Sequence, residues 1–133
     1  MRKPHGSGRG GFTLIELLVV ILIIGILASI AVPQYFKLVE RGRVAEGLSC
    51  LSTLKGSQQR YQLRNGVFSN TLGNLDTTCP TMKFFNMPMV TGTDASTGRT
   101  SDTGFGTYTL GMVYTGNAVT CSGGTNCSDL LPP

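Results

Sequence analysis

From Phe12 to Val32 the sequence reads FTLIELLVVILIIGILASIAV, an apolar run of 21 residues with one charged side chain, Glu16. As an α-helix it would extend about 31 Å at 1.5 Å per residue, the thickness of a bilayer's hydrocarbon core. Buried soluble helices are apolar on every face over roughly ten to fourteen residues, and a chain of 133 residues cannot wrap a longer one. The run therefore predicts a membrane-crossing helix. Beyond Pro33 the pattern becomes amphipathic: Val44, Leu48, Leu51, Leu54 and Tyr61 recur at spacings of three, four and seven among Lys37, Arg41, Arg43, Glu46, Lys55, Gln58, Gln59 and Arg60. One helix from about Phe12 to Arg64 follows, stopped by Asn65-Gly66. Residues 12–33 are its membrane half, and residues 34–65 form a spine against which a small domain, residues 66–133, can pack.

That domain reads as strands and turns. Val67 to Thr81 is a polar loop, Lys83 to Met87 a first strand, and Thr91 to Gly104 turn material. Phe105 to Thr115 alternates, with Tyr108, Leu110, Met112 and Tyr114 on one face and Thr107, Thr109, Gly111, Val113 and Thr115 on the other. Gly116-Asn117 is a hairpin signal that returns the chain through Ala118 to Cys121 as a third strand. The expected fold is α+β: a long N-terminal helix packed through Leu48, Leu51 and Leu54 on a small antiparallel sheet of about three strands.

Composition sharpens this picture. Hydrophobic residues make up 41% and charged residues 14%, against about 25% charged in an average soluble domain, which excludes disorder throughout. The net charge of +4 is unevenly spread: Arg2, Lys3 and Arg9 precede Phe12 with no acid among them, and from Phe12 onward eight basic residues face seven acidic ones. The basic residues of the second helix half are diluted by Glu40 and Glu46 without aromatic interleaving, so they form a solvated face and indicate no nucleic-acid partner. The basic head resembles that of a secretory signal, but the apolar run is too long and leads into LVERGRVAEGL; cleavage at Ala28-Ser29-Ile30-Ala31 is the weaker alternative. Charge counting does not orient the segment, since Arg2, Lys3 and Arg9 on one side balance Lys37, Arg41 and Arg43 on the other.

The cysteines do orient it. Cys50, Cys79, Cys121 and Cys127 all follow the apolar run, the only histidine is His5, and no C-x-x-C pair exists, so a zinc site is excluded. Disulfides in an oxidising compartment account for them, which places the C-terminal part outside the cytoplasm; four buried thiols are the alternative. The flexible Ser-Gly-Gly-Thr-Asn spacer favours pairing Cys121 with Cys127 and leaves Cys50 with Cys79. No cofactor is implied, and with no histidine after His5 neither a Ser/His nor a Cys/His catalytic arrangement can form. The scattered acids Asp76, Asp94, Asp102 and Asp129 form no metal loop, and the Asn126-Cys127-Ser128 sequon is read as a chance match.

The stretch Gly11-Phe12-Thr13-Leu14-Ile15-Glu16, continued to Pro33, resembles the prepilin signature of type IV pilins and type II secretion pseudopilins over about 25 residues. The resemblance implies a pilin fold without enzymatic activity, a leader of residues 1–11 removed after Gly11 by a prepilin peptidase on the cytoplasmic side, and N-methylation of Phe12. It also implies a homo-oligomeric helical filament, an inner-membrane assembly platform, and membrane lipid around the helix before assembly. Glu16 can be judged on charge alone: a carboxylate at the centre of an apolar membrane helix costs about 2.5–3.5 kcal/mol, less near an end, so it calls for a role. The new amine of Phe12 in a neighbour displaced by one helical turn could pair with it and fix the axial register; the alternative is a carboxylate that snorkels to the head-groups. Gly25 and Pro33 mark a stretch where the helix can kink or unravel, or where an ordinary membrane proline is satisfied locally. The function implied is a pilus subunit, first single-pass in the inner membrane and then extracellular. The alternatives are a periplasmic pseudopilin of a secretion or DNA-uptake system and, more weakly, a membrane-tethered binding protein.

Overall fold

A computed structural model describes residues 11–100, 104–124 and 127–132. The leader residues before Gly11, Asp102 and the Asn126 sequon position lie outside the described residues. One helix, α1 (Leu14–Asn65), is followed by four strands: β1 (Met89–Val90), β2 (Asp94–Gly98), β3 (Tyr108–Val113) and β4 (Val119–Gly123). The chain divides into two units, one ending at Phe36 and one running from Lys37.

In the first unit the apolar run is helical from Leu14 onward, with Pro33 inside α1. Pro33 has no N–H to offer the carbonyl four residues back, so one backbone bond of the helix is missing there. In the second unit the helix continues to Asn65, and Gly66 stops it with a φ of 80°, its N–H bonding the Gln62 carbonyl at 2.7 Å. Only glycine adopts that left-handed conformation without strain.

The buried helical positions Glu40, Val44, Gly47, Leu51, Leu54 and Gln58 alternate by four and three residues, the spacing of a single stripe. The stripe lies on an antiparallel sheet ordered β1-β2-β3-β4. Ala95 pairs with Met112 and Thr97 with Leu110 across β2 and β3; Leu110 pairs with Cys121 across β3 and β4. Leu51, Leu54, Leu110 and Ala95 are wholly buried, and each buried leucine contributes about 1.5–3 kcal/mol of transfer free energy. A Cβ at Gly47 would stand 2.9 Å from Leu110 Cδ1 and 3.3 Å from the Phe85 ring, so the glycine sets how closely helix and sheet approach.

The expected face Tyr108, Leu110, Met112 and Tyr114 is the buried one, and the hairpin returns through β4 as expected. Two strand assignments differ. Residues 83–87 form no strand: Phe85 makes a single bridge to Arg99, while the Glu46 carboxylate accepts the N–H groups of Lys83 and Phe84 at 2.9 and 3.2 Å. Buried Pro88, which cannot donate to a ladder, then leaves Met89–Val90 as the edge strand. The polar segment expected as a turn contains β2, so the sheet has four strands. Its inward positions Thr97 and Arg99 are 2% and 4% exposed and are paired rather than apolar, which is why hydrophobic alternation did not reveal them.

Candidate assembly segment and its supports

Between Phe12 and Phe36 every large apolar side chain is exposed, from 89% at Phe12 to 45% at Val19. A continuous apolar surface of this size is stable only when lipid or other protein covers it. Gly11 and Phe12 lie just ahead of the helix, and neither is packed against the rest of the chain.

Glu16 belongs to the first turn. The Thr13 N–H and the Thr13 hydroxyl both donate to Glu16 Oε2, at 2.8 and 2.7 Å, and the Glu16 N–H returns a bond to Thr13 Oγ1 at 3.3 Å. This is a capping box: the side chains of the first turn satisfy backbone donors that the helix cannot. It holds the carboxylate at the positive end of the helix dipole. Both Thr13 bonds end on Oε2, and Oε1 accepts none among the described residues, so one carboxylate oxygen is open to a cation from outside the chain. Gly25 has no atom within 4 Å of where a Cβ would lie, so no packing within this chain requires glycine there.

The second unit carries charge in its interior. Glu40 and Arg99 are each 1% exposed at the side chain and pair through Arg99 Nε and Glu40 Oε1 at 2.7 Å. Tyr108 Oη donates to the same oxygen at 2.7 Å, Arg43 Nη1 donates to Oε2 at 3.0 Å, and Arg99 Nη1 donates to the Phe84 carbonyl at 2.9 Å. Burial alone would raise the Glu40 pKa. The hydrogen bonds from Arg99, Tyr108 and Arg43, with the Arg99 charge, outweigh it and hold the carboxyl below its ordinary value. Burial, reinforced by the Glu40 carboxylate, pushes the Tyr108 phenol well above its ordinary value. Nearby, Lys37 Nζ pairs with Asp129 at 3.0 Å and Arg41 donates to the Asp129 carbonyl, which ties the C-terminal turn Cys127–Leu130 to the helix. Disulfides join Cys50 to Cys79 and Cys121 to Cys127, with Cα separations of 5.3 and 5.7 Å.

The Thr13–Glu16 box was present in the sequence as T-x-x-E before an apolar run. The Glu40 cluster was not legible, because its partners lie 59 and 68 residues away.

The model of the prokaryotic N-terminal methylation motif matches residues 6–32. The fimbrial protein EcpC of Eikenella corrodens is 47% identical over 58 residues, 44% of this chain and 38% of that protein. The type IV major pilin PilE of Neisseria gonorrhoeae is 41% identical over 58 residues, 44% of this chain and 35% of that protein. The type IV major fimbrial protein FimA of Dichelobacter nodosus is 53% identical over 45 residues, 34% of this chain and 28% of that protein. The matched stretch thus spans about a third of each relative's length. The methylation-motif match takes in the exposed apolar helix and its capping box, and over its matched stretch the chain is similar to type IV pilins and fimbrial proteins.

Proposed function

We propose that the chain is a structural subunit of a type IV pilus, cut after Gly11 by a prepilin peptidase, methylated on Phe12 and polymerised through the helix that follows. The observation that carries this reading is the wholly exposed apolar helix with a single carboxylate in its first turn. Before assembly, lipid covers the helix; in the fibre, the helices of other copies do. Cleavage creates an amine at Phe12, and Glu16 Oε1 in a neighbouring copy is the acceptor that pairs with it. One ion pair then replaces two separately desolvated charges and sets the axial step. The second unit, outside the inner membrane, forms the fibre surface.

Glu16→Ala is expected to abolish sheared surface fibres while leaving membrane insertion intact. Fibres of normal abundance containing that variant would overturn the pairing. Intact-mass spectrometry of the mature chain is expected to show Phe12 plus one methyl group. An N-terminus at Met1 or beyond Ala31 would overturn the processing.

A further inference from the structure

Where α1 ends, Tyr61, Arg64 and Asn65 face Asn74, Leu75 and Asp76 across an open basin of about 450 Å³. Its polar side chains are held in place by bonds that use only part of their capacity. Asn65 Nδ2 donates to the Tyr61 carbonyl at 3.0 Å and Asn74 Nδ2 to Ser69 Oγ at 3.2 Å, while both amide oxygens accept nothing among the described residues. Arg64 reaches the Arg60 carbonyl through Nε at 3.4 Å and Asp76 through Nη2 at 3.5 Å, and its Nη1 has no partner among the described residues. The Tyr61 hydroxyl likewise has none, and its ring is half-buried with one side packed on the core. Asp76 is fixed beneath them by two bonds from Arg60 at 2.8 Å and one from Ser57 at 2.5 Å. The Cys50–Cys79 disulfide pins the loop three residues further on.

An aromatic ring beside pre-oriented amide oxygens and a guanidinium is a surface for a ligand with an apolar face and a rim of hydroxyls. The Asp76 carboxylate is already paired with Arg60, so the basin offers a ligand an exposed guanidinium and no unpaired carboxylate. We infer that this basin is a saccharide-binding site that takes a neutral pyranose, stacked on Tyr61, with hydroxyls donating to the amide oxygens of Asn65 and Asn74 and accepting from Arg64. The inference does not depend on polymerisation.

The test is saturation-transfer NMR on the full chain in a sugar-free zwitterionic detergent, with galactose, glucose and N-acetylglucosamine as probes. At least one sugar is expected to bind, and Tyr61→Leu or Arg64→Leu to weaken it about tenfold or more. Tyr61→Phe keeps the ring on the core and available for stacking, and is expected to bind close to the wild-type level, which separates a lost contact from misfolding. Arg64 is 60% exposed, so its variant stays folded if the tyrosine variant does not. No transfer to any of the three sugars, or equal transfer in wild type and Arg64→Leu, would overturn the inference.

Discussion

A carboxylate can be kept charged in two ways in this chain, and the difference sets how each responds to acid. Asp76 stands at the surface, where Arg60's hydrogen bonds, with Ser57's, hold its pKa well below the usual carboxylate range. Glu40 is enclosed, and its lowered pKa survives only because Arg99, Tyr108 and Arg43 together outweigh burial. Both folded values lie below the unfolded ones, about 3.9 for Asp and 4.3 for Glu, so the stability they contribute is fully present above that range. It is lost as pH falls through the folded values. Glu40→Gln is therefore expected to cost about 3–5 kcal/mol at neutral pH, because Arg99 keeps its charge and its burial but loses the neutralising carboxylate. It should also flatten the acid limb of the stability curve. Urea unfolding followed by circular dichroism between about pH 7 and pH 3 checks both, and a full-strength Glu40→Gln protein would contradict the role given to the pair. Removing Arg99 as well, in Glu40→Met/Arg99→Met, should recover much of the loss. Legibility at this scale followed distance along the chain. Glu16 stood out as one charge in an apolar run, and its Thr13 partner lies three residues away. Glu40 looked like one more acid on a solvated face because Arg99 and Tyr108 meet it only through the tertiary fold.

Elements were legible where burial is enforced by apolar side chains at a fixed period. The α1 stripe and β3 have that character: Leu51, Leu54 and Leu110 are wholly buried, and Tyr108 and Tyr114 nearly so. Leu51→Ala is accordingly expected to destabilise the domain by about 2–5 kcal/mol, whereas Ser52→Ala, one position round the helix and exposed, should change it by no more than about 0.5 kcal/mol. Denaturant titrations of the two variants in the same detergent measure the contrast, and similar losses would mean that the stripe is misplaced. The sheet's other half resisted sequence reading for a different physical reason. In β2 the inward side chains are Ala95 and Thr97, one small and one polar, and Thr97 satisfies its hydroxyl on the Asn86 carbonyl at 2.6 Å. Arg99, just past the strand, is buried through ion pairing. Residues 83–87 show the opposite error: apolar, but committed by Glu46 and Pro88 to a different backbone course.

At the scale of the whole molecule, the apolar segment up to Phe36 contributes nothing to the buried core, which begins at Glu40 and Val44. The second unit must therefore stabilise itself with a helix half and a sheet of short strands, a small core that gains from covalent closure. The two disulfides close loops of very different length, with sequence separations of 29 and 6. On a chain-entropy estimate they contribute about 3.5 and 2 kcal/mol respectively, by restricting the unfolded chain. Together these are comparable to the whole stability of a small domain, roughly 5–15 kcal/mol. With both disulfides reduced, the domain would lose about 5–6 kcal/mol of that stability. Cys50→Ala/Cys79→Ala is thus expected to lower the urea midpoint more than Cys121→Ala/Cys127→Ala, with full reduction of the wild type lowering it most. The first pair also anchors the loop that carries Asp76 to the helix, so its removal should loosen the Arg60–Asp76 pairing, an effect the second pair has no means to produce. If the two double variants unfold at the same denaturant concentration, loop length is not what sets their contribution.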